Sequence, residues 1–325
     1  MVPNTSMELS TMTTNGKRYS LFPIQYPTLY SYYEKQRDAF WVPAEVDLSD
    51  DIKHWRDIVS EDEKKFITYI LAFFAQADGI VLQNIEDNFS LDIDIPEFNV
   101  FYGIQSGIES IHWEMYSILI DTLLNKEDKE KAFQAIQHYP CIQQKAEWMM
   151  TWMTSDRPYI ERLVAFACAE GISFSSSFAG IFYFKKKGVL PGLVLSNKFI
   201  SRDEGLHRDF GLEAVKVLKT QGHVIEDETV YKIVDEAVQV ELDFVRDSLQ
   251  VELIGLNSDK MCEYVKFVAD HLLHTLGLKK LYNVSNPFDW MNMISMTNKQ
   301  NFFEGRVSEY KKNNTAISFD FNTDF

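Results

Sequence analysis

Two acidic residues lie in the middle of strongly apolar segments, and this placement limits what the chain can fold into. Asp78 lies in LAFFAQADGIVL and Glu170 lies in VAFACAEGISF, where the local pattern is typical of core residues. Acids rarely occupy such positions unpaired, because burying one isolated carboxylate costs on the order of tens of kcal/mol on a simple Born estimate. The fold must therefore bring positive charge, or a proton, to these side chains.

Both acids belong to long stretches with apolar residues at helical spacing. The first runs from residue 61 to 89 without proline, and Ser60 followed by Glu63 resembles a capping box at its start. Comparable stretches cover residues 97–125, 159–187, 195–220, 228–253 and 257–276. Strand alternation is nearly absent, so we predict an all-α fold. Helices of about 25 to 29 residues indicate a bundle in which each helix crosses the whole core.

Two of the predicted helices carry a Glu-x-x-His motif. Glu109 and His112 lie in GIESIHWEMY, and Glu204 and His207 lie in SRDEGLHRDF. Residues at i and i+3 share one helical face, so each pair can direct a carboxylate oxygen and an imidazole nitrogen at one point. A single motif of this kind is a weak signal, since Glu and His at this spacing usually lie on a solvated face.

The acid and the motif occur twice in the same order. Asp78 precedes Glu109 by 31 residues, and Glu170 precedes Glu204 by 34. This repetition favours a pseudo-two-fold arrangement of four helices, whose buried carboxylates carry about −4 in total, a charge that two divalent cations cancel. We therefore predict a ferritin-like helical bundle with a di-metal carboxylate site in the core and extra helices around it. The predicted metal ligands, called the six-residue set below, are Asp78, Glu109, His112, Glu170, Glu204 and His207.

A different interpretation pairs the two embedded acids with Lys or Arg, or leaves them protonated. The flanking helical turns hold mostly Phe, Ala, Ile and Ser, which leaves few local cations for Asp78 and Glu170.

Oxygen and nitrogen ligands without a thiolate favour iron or manganese over structural zinc. The three cysteines, Cys141, Cys168 and Cys262, show no close pairing and fit a reducing, cytoplasmic location.

Composition excludes several other function classes. The 48 acidic and 32 basic residues give a formal charge of −16, which argues against a nucleic-acid partner. No signal peptide or membrane span is predicted, since the most apolar stretch is interrupted by Gln76 and Asp78.

We expect a flexible N-terminal arm over residues 1–20, a helical domain over 21–300 and a mobile C-terminal tail over 301–325.

The surroundings of the predicted site suggest what the metals do. Tyr116 lies four residues after His112 on the same helical face, where a phenol can be oxidised. Phe174, Phe178 and Ile200 point towards the same place and would form an apolar pocket that shields a radical from quenching. Plain core packing of these side chains, with the Tyr116 hydroxyl hydrogen-bonded, is the alternative.

Segments spread over nearly the whole chain resemble the small subunit of class I ribonucleotide reductase, in particular its eukaryotic-type branch. These segments are DAFWVPAEVDLS, LAFFAQADGIV, FYGIQSGIESIHWEMYS, VAFACAEGISFSSSFA, LPGLVLSNKFISRDEGLHRDF, NPFDWM and NFFEGRVSEY. The resemblance implies that the six-residue set binds two iron ions per chain, with manganese less favoured. It also implies that Tyr116 holds the stable tyrosyl radical formed when the reduced di-iron centre, supplied by an electron donor, reacts with O2.

The same resemblance implies a route for the radical. Trp41 corresponds to a tryptophan of long-range radical transfer, and Asp203 to the acid that links it to a histidine ligand, here His112. Tyr310 resembles the tail tyrosine that passes the radical between subunits. The closing FDFNTDF resembles the terminal segment that docks on the large subunit, which assigns partner binding to Phe319, Phe321, Asp324 and Phe325.

The function implied is that of the small subunit of ribonucleoside-diphosphate reductase, an oxidoreductase of deoxyribonucleotide synthesis for DNA replication. It would act as a homodimer with a separate large subunit. In agreement, the chain has no phosphate loop, dinucleotide fingerprint or redox-active cysteine pair. One alternative is a di-metal oxidase or hydroxylase that acts directly on a small molecule through an open channel. Another is a ferritin-like iron store, which would leave Trp41, Tyr310 and the terminal segment unexplained.

Overall fold

The computed structural model describes residues 18–153, 156–250, 253, 256–288 and 291, and these residues are mainly helical. The α-helices are α1 (Pro27–Asp38), α2 (Ser49–Asp57), α3 (Glu61–Asn84), α4 (Ser90–Asp92), α5 (Pro96–Leu123), α6 (Lys126–Phe133), α7 (Ala135–His138), α8 (Pro140–Met153), α9 (Tyr159–Cys168), α10 (Ser175–Lys187), α11 (Pro191–Thr220), α12 (Asp227–Ser248) and α13 (Ser258–Thr275). A 3₁₀ turn covers Pro43–Glu45. Among the described residues there is no strand, only an isolated bridge between Leu253 and Leu256. The predicted all-α fold class is confirmed.

Two five-residue π-helical turns interrupt the long helical segments. The first π turn (Ile85–Phe89) joins α3 to α4. The second π turn (Ala169–Ser173) follows α9 and leads towards α10. A π turn inserts an extra residue into the helix and so rotates the side chains that follow it. Apolar spacing alone therefore predicts the helical stretches 61–89 and 159–187 but does not reveal these turns.

The core is a four-helix arrangement with further helices packed around it. Helix α3 packs along α5, and α9 packs along α11, while α5 also contacts α11. Helices α1, α8, α12 and α13 lie outside these four, with α12 packing against α8, α9 and α13. This is the predicted bundle with extra helices around it.

Local chemistry explains where the site-bearing helices begin. At the start of α3, Ser60 Oγ accepts the Glu63 N–H at 3.3 Å, and Glu63 Oε2 accepts the Ser60 N–H at 3.0 Å, so the predicted capping box is present. Helix α11 has no side-chain cap of its own. Instead, the buried carboxylate of Asp51 on α2 accepts the N–H groups of Gly192 and Leu193, each at 2.8 Å. The free donors of the first turn of α11 are thus satisfied from another helix.

The helix ends differ by a few residues from those predicted. Helix α12 ends at Ser248 rather than at 253, and α11 begins at Pro191 rather than at 195, because proline suits the first turn of a helix. The sequence stretches predicted from periodicity do not include the short helices α1, α2 and α6, whose sequences are rich in charged residues.

Two segments, Glu61–Phe89 and Tyr159–Lys187, are long and apolar enough by composition to cross a membrane. Of their most apolar windows, 67% and 100% respectively lie buried inside the bundle, as expected of core helices. Of the predicted N-terminal arm, residues 18–20 are described, and the Arg18 guanidinium there pairs with Glu97. The predicted tail, 301–325, lies outside the described residues.

Candidate metal centre

The six-residue set is buried at the centre of the bundle. Helix α3 carries one member, α5 two, the second π turn one and α11 two, and no member is more than 2% exposed. In that order, they are Asp78, Glu109 with His112, Glu170, and Glu204 with His207. Four core elements thus converge on one point, as the repeated order of acid and motif predicts.

Glu109 and Glu204 lie between the two histidines. His207 Nδ1 is 2.9 Å from Glu109 Oε1 and 2.9 Å from Glu204 Oε2. His112 Nδ1 is 2.9 Å from Glu204 Oε1 and 3.4 Å from Glu109 Oε2. Each carboxylate therefore directs one oxygen at each histidine.

The remaining acids complete the cluster. Ligand atoms of Glu170, Glu109, Glu204 and His207 all lie within 4.8 Å of one another. Asp78 is not part of this tightest group, but Glu109 is the neighbouring charge that acts most strongly on it. Within the described part of the chain, neither carboxylate oxygen of Asp78 has a hydrogen-bond partner, nor does Glu170 Oε2. Buried carboxylate oxygens without a hydrogen-bond partner are unfavourable, and bound cations would satisfy them.

Electrostatics gives the same result. Burial, followed by the charge of Glu109, raises the pKa of Asp78 well above its ordinary value. Burial, followed by the charge of Glu204, does the same to the pKa of Glu170. Although burial opposes protonation of His207, the carboxylates of Glu109 and Glu204 raise its pKa to about 9. These shifts show that, without cations, the cluster keeps protons on its acids and on His207, and two divalent cations with oxygen and nitrogen ligands fit the place of those protons.

Tyr116 lies in an aromatic pocket beside the cluster. It is 1% exposed, and its hydroxyl has no hydrogen-bond partner among the described residues. Its ring stacks on Phe74, with ring centroids 4.4 Å apart and planes at 4°. Phe74 in turn packs against Phe174 and Phe178 at 5.6 and 5.2 Å. Burial raises the pKa of Tyr116 well above its ordinary value, and Asp78 is the charge that adds most to this shift, so the phenol is neutral.

A hydrogen-bonded chain leads from the cluster to Trp41. The Trp41 indole N–H donates to Asp203 Oδ2 at 2.8 Å, and the same oxygen lies 3.2 Å from His112 Nε2. The other oxygen, Oδ1, accepts two N–H groups of Arg202 at 2.9 and 3.1 Å. Burial works against the charge of Asp203, but the Arg202 guanidinium, His112 and the Trp41 indole together outweigh burial and lower the pKa of that carboxyl. An ionised Asp203 thus joins Trp41 to His112.

Two residues of this region are not predicted from the sequence. Gln105 Nε2 donates to Glu170 Oε1 at 3.0 Å, and its position one helical turn before Glu109 is the signal that points to it. Phe74 likewise lies one turn before Asp78. Ile200 is fully buried on α11, one turn before Glu204. The predicted residues Tyr310, Phe319, Phe321, Asp324 and Phe325 lie outside the described residues.

Comparison with known proteins identifies the family. Residues 18–287 match the sequence profile described as "Ribonucleotide reductase, small chain". The protein is 46% identical to the ribonucleoside-diphosphate reductase small chain from Nicotiana tabacum, over 96% of its own length and 94% of that relative. It is 48% identical to the corresponding small chain from Variola virus, over 93% of both proteins.

A solved structure agrees in fold. The ribonucleotide reductase Rnr4 homodimer from Saccharomyces cerevisiae superposes with a TM-score of 0.78 at 34% identity, covering 91% of each chain. The two proteins therefore share a fold. The chain therefore belongs to the ribonucleotide reductase small-chain family and is the small subunit of a ribonucleoside-diphosphate reductase.

Proposed function

We propose that the six-residue set binds two iron ions, that Tyr116 is oxidised beside them to a stable tyrosyl radical, and that this radical is passed to the large subunit for ribonucleotide reduction. The observation that carries the proposal is the placement of Tyr116, a buried phenol without a hydrogen-bond partner among the described residues, next to a cluster of buried acids and histidines. When bound, the iron ions would supply one-electron oxidation of the phenol, with O2 as oxidant and an external electron donor.

The chain's own residues divide the remaining tasks. Glu109 and Glu204 lie between His112 and His207, and these four residues would hold the two metal ions. Gln105 donates a hydrogen bond to Glu170 and so orients that carboxylate. The donor set accepts iron or manganese, and similarity to eukaryotic-type small chains supports iron.

The pocket around Tyr116 supports a long-lived radical. The ring is covered by Phe74, and Phe174 and Phe178 pack behind that ring. Aromatic and aliphatic side chains offer no easily removed proton or hydrogen atom in contact with the phenol. Ile200, buried on α11, is proposed as a further member of this pocket.

The chain from His112 through Asp203 to Trp41 supports a route out of the core. We propose that the radical moves reversibly from Tyr116 through Asp203 and Trp41 to Tyr310 and then to the large subunit. The terminal residues Phe319, Phe321, Asp324 and Phe325 would dock on that subunit. The working form would be a cytoplasmic homodimer, and the homodimeric yeast relative supports the pairing.

Replacing Tyr116 with Phe tests the proposal. The variant should bind the same two iron ions per chain, because no ligand changes, but should lack the tyrosyl signal in electron paramagnetic resonance. Tyr102→Phe is a matched control: Tyr102 is also buried on α5, yet its hydroxyl pairs with that of Tyr159 at 2.8 Å, so the signal should persist. An unchanged signal in the Tyr116 variant would rule out the assignment.

A further inference from the structure

A buried ion pair lies outside the six-residue set and next to the second π turn. Lys145 on α8 and Glu241 on α12 meet with Nζ 2.6 Å from Oε2, and both side chains are fully buried. Removing two charges from water is costly, so a buried pair rarely stabilises a fold more than apolar side chains of the same volume. Fold stability alone therefore does not account for this pair.

Both partners bind the backbone where the second π turn gives way to α10. Lys145 Nζ donates to the carbonyl oxygen of Ser173, the last residue of that turn, at 2.6 Å. Glu241 Oε1 accepts the N–H of Ser176 at 3.3 Å and also the Ser176 hydroxyl. The pair thus supplies one donor and one acceptor to backbone groups on the two sides of the junction.

A π turn is a place where the regular i→i−4 ladder is disturbed, so nearby backbone groups need other partners. Glu170 lies in the same five-residue turn, three residues before Ser173. Its carboxylate can reach the metal positions only if the turn keeps its shape. The contacts of Lys145 and Glu241 therefore act on the backbone that carries Glu170.

The same lysine also contacts two aromatic rings that lead to Phe174, a member of the Tyr116 pocket. Its Nζ lies 3.4 Å from the ring centroid of Phe73 and 3.9 Å from that of Phe244. Phe73 packs against Phe174 at 5.6 Å, and Phe174 directly follows the second π turn. A cation held over these rings restrains the start of α10 as well as the turn before it.

We propose that Lys145 and Glu241 are positioning residues that hold the second π turn in the conformation presenting Glu170 to one of the two metal ions. The inference rests on the proposed function, since it takes Glu170 as a ligand. Loss of the pair should weaken the metal position that Glu170 serves more than the other. A pair that only stabilised the fold would affect both positions alike, or neither.

The test is a titration of the metal-free full-length protein with Mn(II), in which the free ion is counted by electron paramagnetic resonance. Lys145→Met combined with Glu241→Met removes both charges and leaves no lone buried ion. We expect wild-type protein to bind two Mn(II) per chain and the double variant to bind one with wild-type affinity and the second about 10- to 100-fold more weakly, as for loss of other groups that orient ligands. Thermal unfolding of both proteins should show similar midpoints.

A matched control is the ion pair between Glu63 and Lys187, 2.7 Å apart, which joins the start of α3 to the end of α10. Glu63→Gln with Lys187→Met should leave both Mn(II) affinities unchanged. Ser176→Ala is a milder second variant that removes one contact of Glu241 without changing any charge, and it should weaken the same single position several-fold. It serves as the test if the double variant does not fold.

The outcomes separate the two proposals. The role of Lys145 and Glu241 would be overturned, with the metal centre left intact, if the double variant kept both Mn(II) affinities at their wild-type values. If the double variant does not fold, the same result in Ser176→Ala would overturn it. Equal weakening at both positions would also overturn it. Wild-type protein that binds no Mn(II) would overturn the metal centre itself, and the positioning role with it.

Discussion

Replacing Trp41 with Phe separates radical transfer from radical formation. Trp41 is 2% exposed, and its indole N–H donates to Asp203 Oδ2 at 2.8 Å. Its ring stacks on that of His112, with centroids 6.1 Å apart. Phenylalanine keeps an aromatic ring in this place but has no donor for the carboxylate and a smaller volume. The change therefore cuts the hydrogen-bonded route at Trp41 and leaves every member of the six-residue set in place.

The cost in stability follows from these contacts. Loss of one hydrogen bond to a charged acceptor lowers the free energy of unfolding by about 1.5–3 kcal/mol. Asp203 keeps its contacts with Arg202 and His112, so it is not left unpaired. The smaller ring adds about 1 kcal/mol for the space it leaves, which gives about 2.5–4 kcal/mol in total. A protein of ordinary stability remains folded after such a loss.

Three measurements on the same sample give the answer. Denaturant unfolding should show the loss of stability, while metal analysis and electron paramagnetic resonance should show wild-type iron and an unchanged Tyr116 radical. Reductase activity with a separate large subunit should fall to background. Phe199→Leu is the control, because the Phe199 ring packs 5.2 Å from Trp41 without any part in the hydrogen-bonded route. That variant should lose less stability, because Phe199 is only partly buried and loses no hydrogen bond, and it should keep its activity. Wild-type turnover by the Trp41 variant would refute the transfer role.

Three further predictions follow from the site. In the metal-free protein, burial disfavours the charged form of His207, but the carboxylates of Glu109 and Glu204 outweigh burial and raise its pKa from 6.5 to about 9. The stabilising contribution of His207 is therefore complete below pH 6.5 and is lost as pH rises through about 9. His207 should contribute up to about 3 kcal/mol to the fall in stability that urea unfolding records over that window, and constant stability would contradict the shift. Phe74→Leu opens space beside Tyr116 and should lower the free energy of unfolding by about 1–3 kcal/mol. The variant should also shorten the lifetime of the radical measured by electron paramagnetic resonance, and an unchanged lifetime would argue against shielding by Phe74. Deleting residues 319–325 should leave iron and radical intact but abolish activity with the large subunit, and an active truncated protein would exclude docking by this segment.

Local spacing predicts much of this site. Glu109 with His112, and Glu204 with His207, share helical faces because of the i, i+3 rule, and that rule holds wherever the helices lie. Asp78 and Glu170 stand out because each is an acid in an apolar segment. The sequence therefore predicts both the bundle and the residues that converge in it.

The remaining features depend on long-range packing that spacing does not encode. Trp41 and Asp203 lie 162 residues apart, and from the sequence only the family resemblance predicts their contact. Lys145 and Glu241 lie 96 residues apart and carry no motif. The sequence does not predict the second π turn either, because its five residues fit the same apolar pattern as the helices beside it.

The central claim is a two-metal centre held by the six-residue set, and anomalous diffraction from crystals of the iron-loaded protein tests it most directly. Data collected at the iron absorption edge should show two peaks per chain, both within coordination distance of Glu109 and Glu204, with one nearer His112 and the other nearer His207. A single peak, or peaks away from these four residues, would contradict the account.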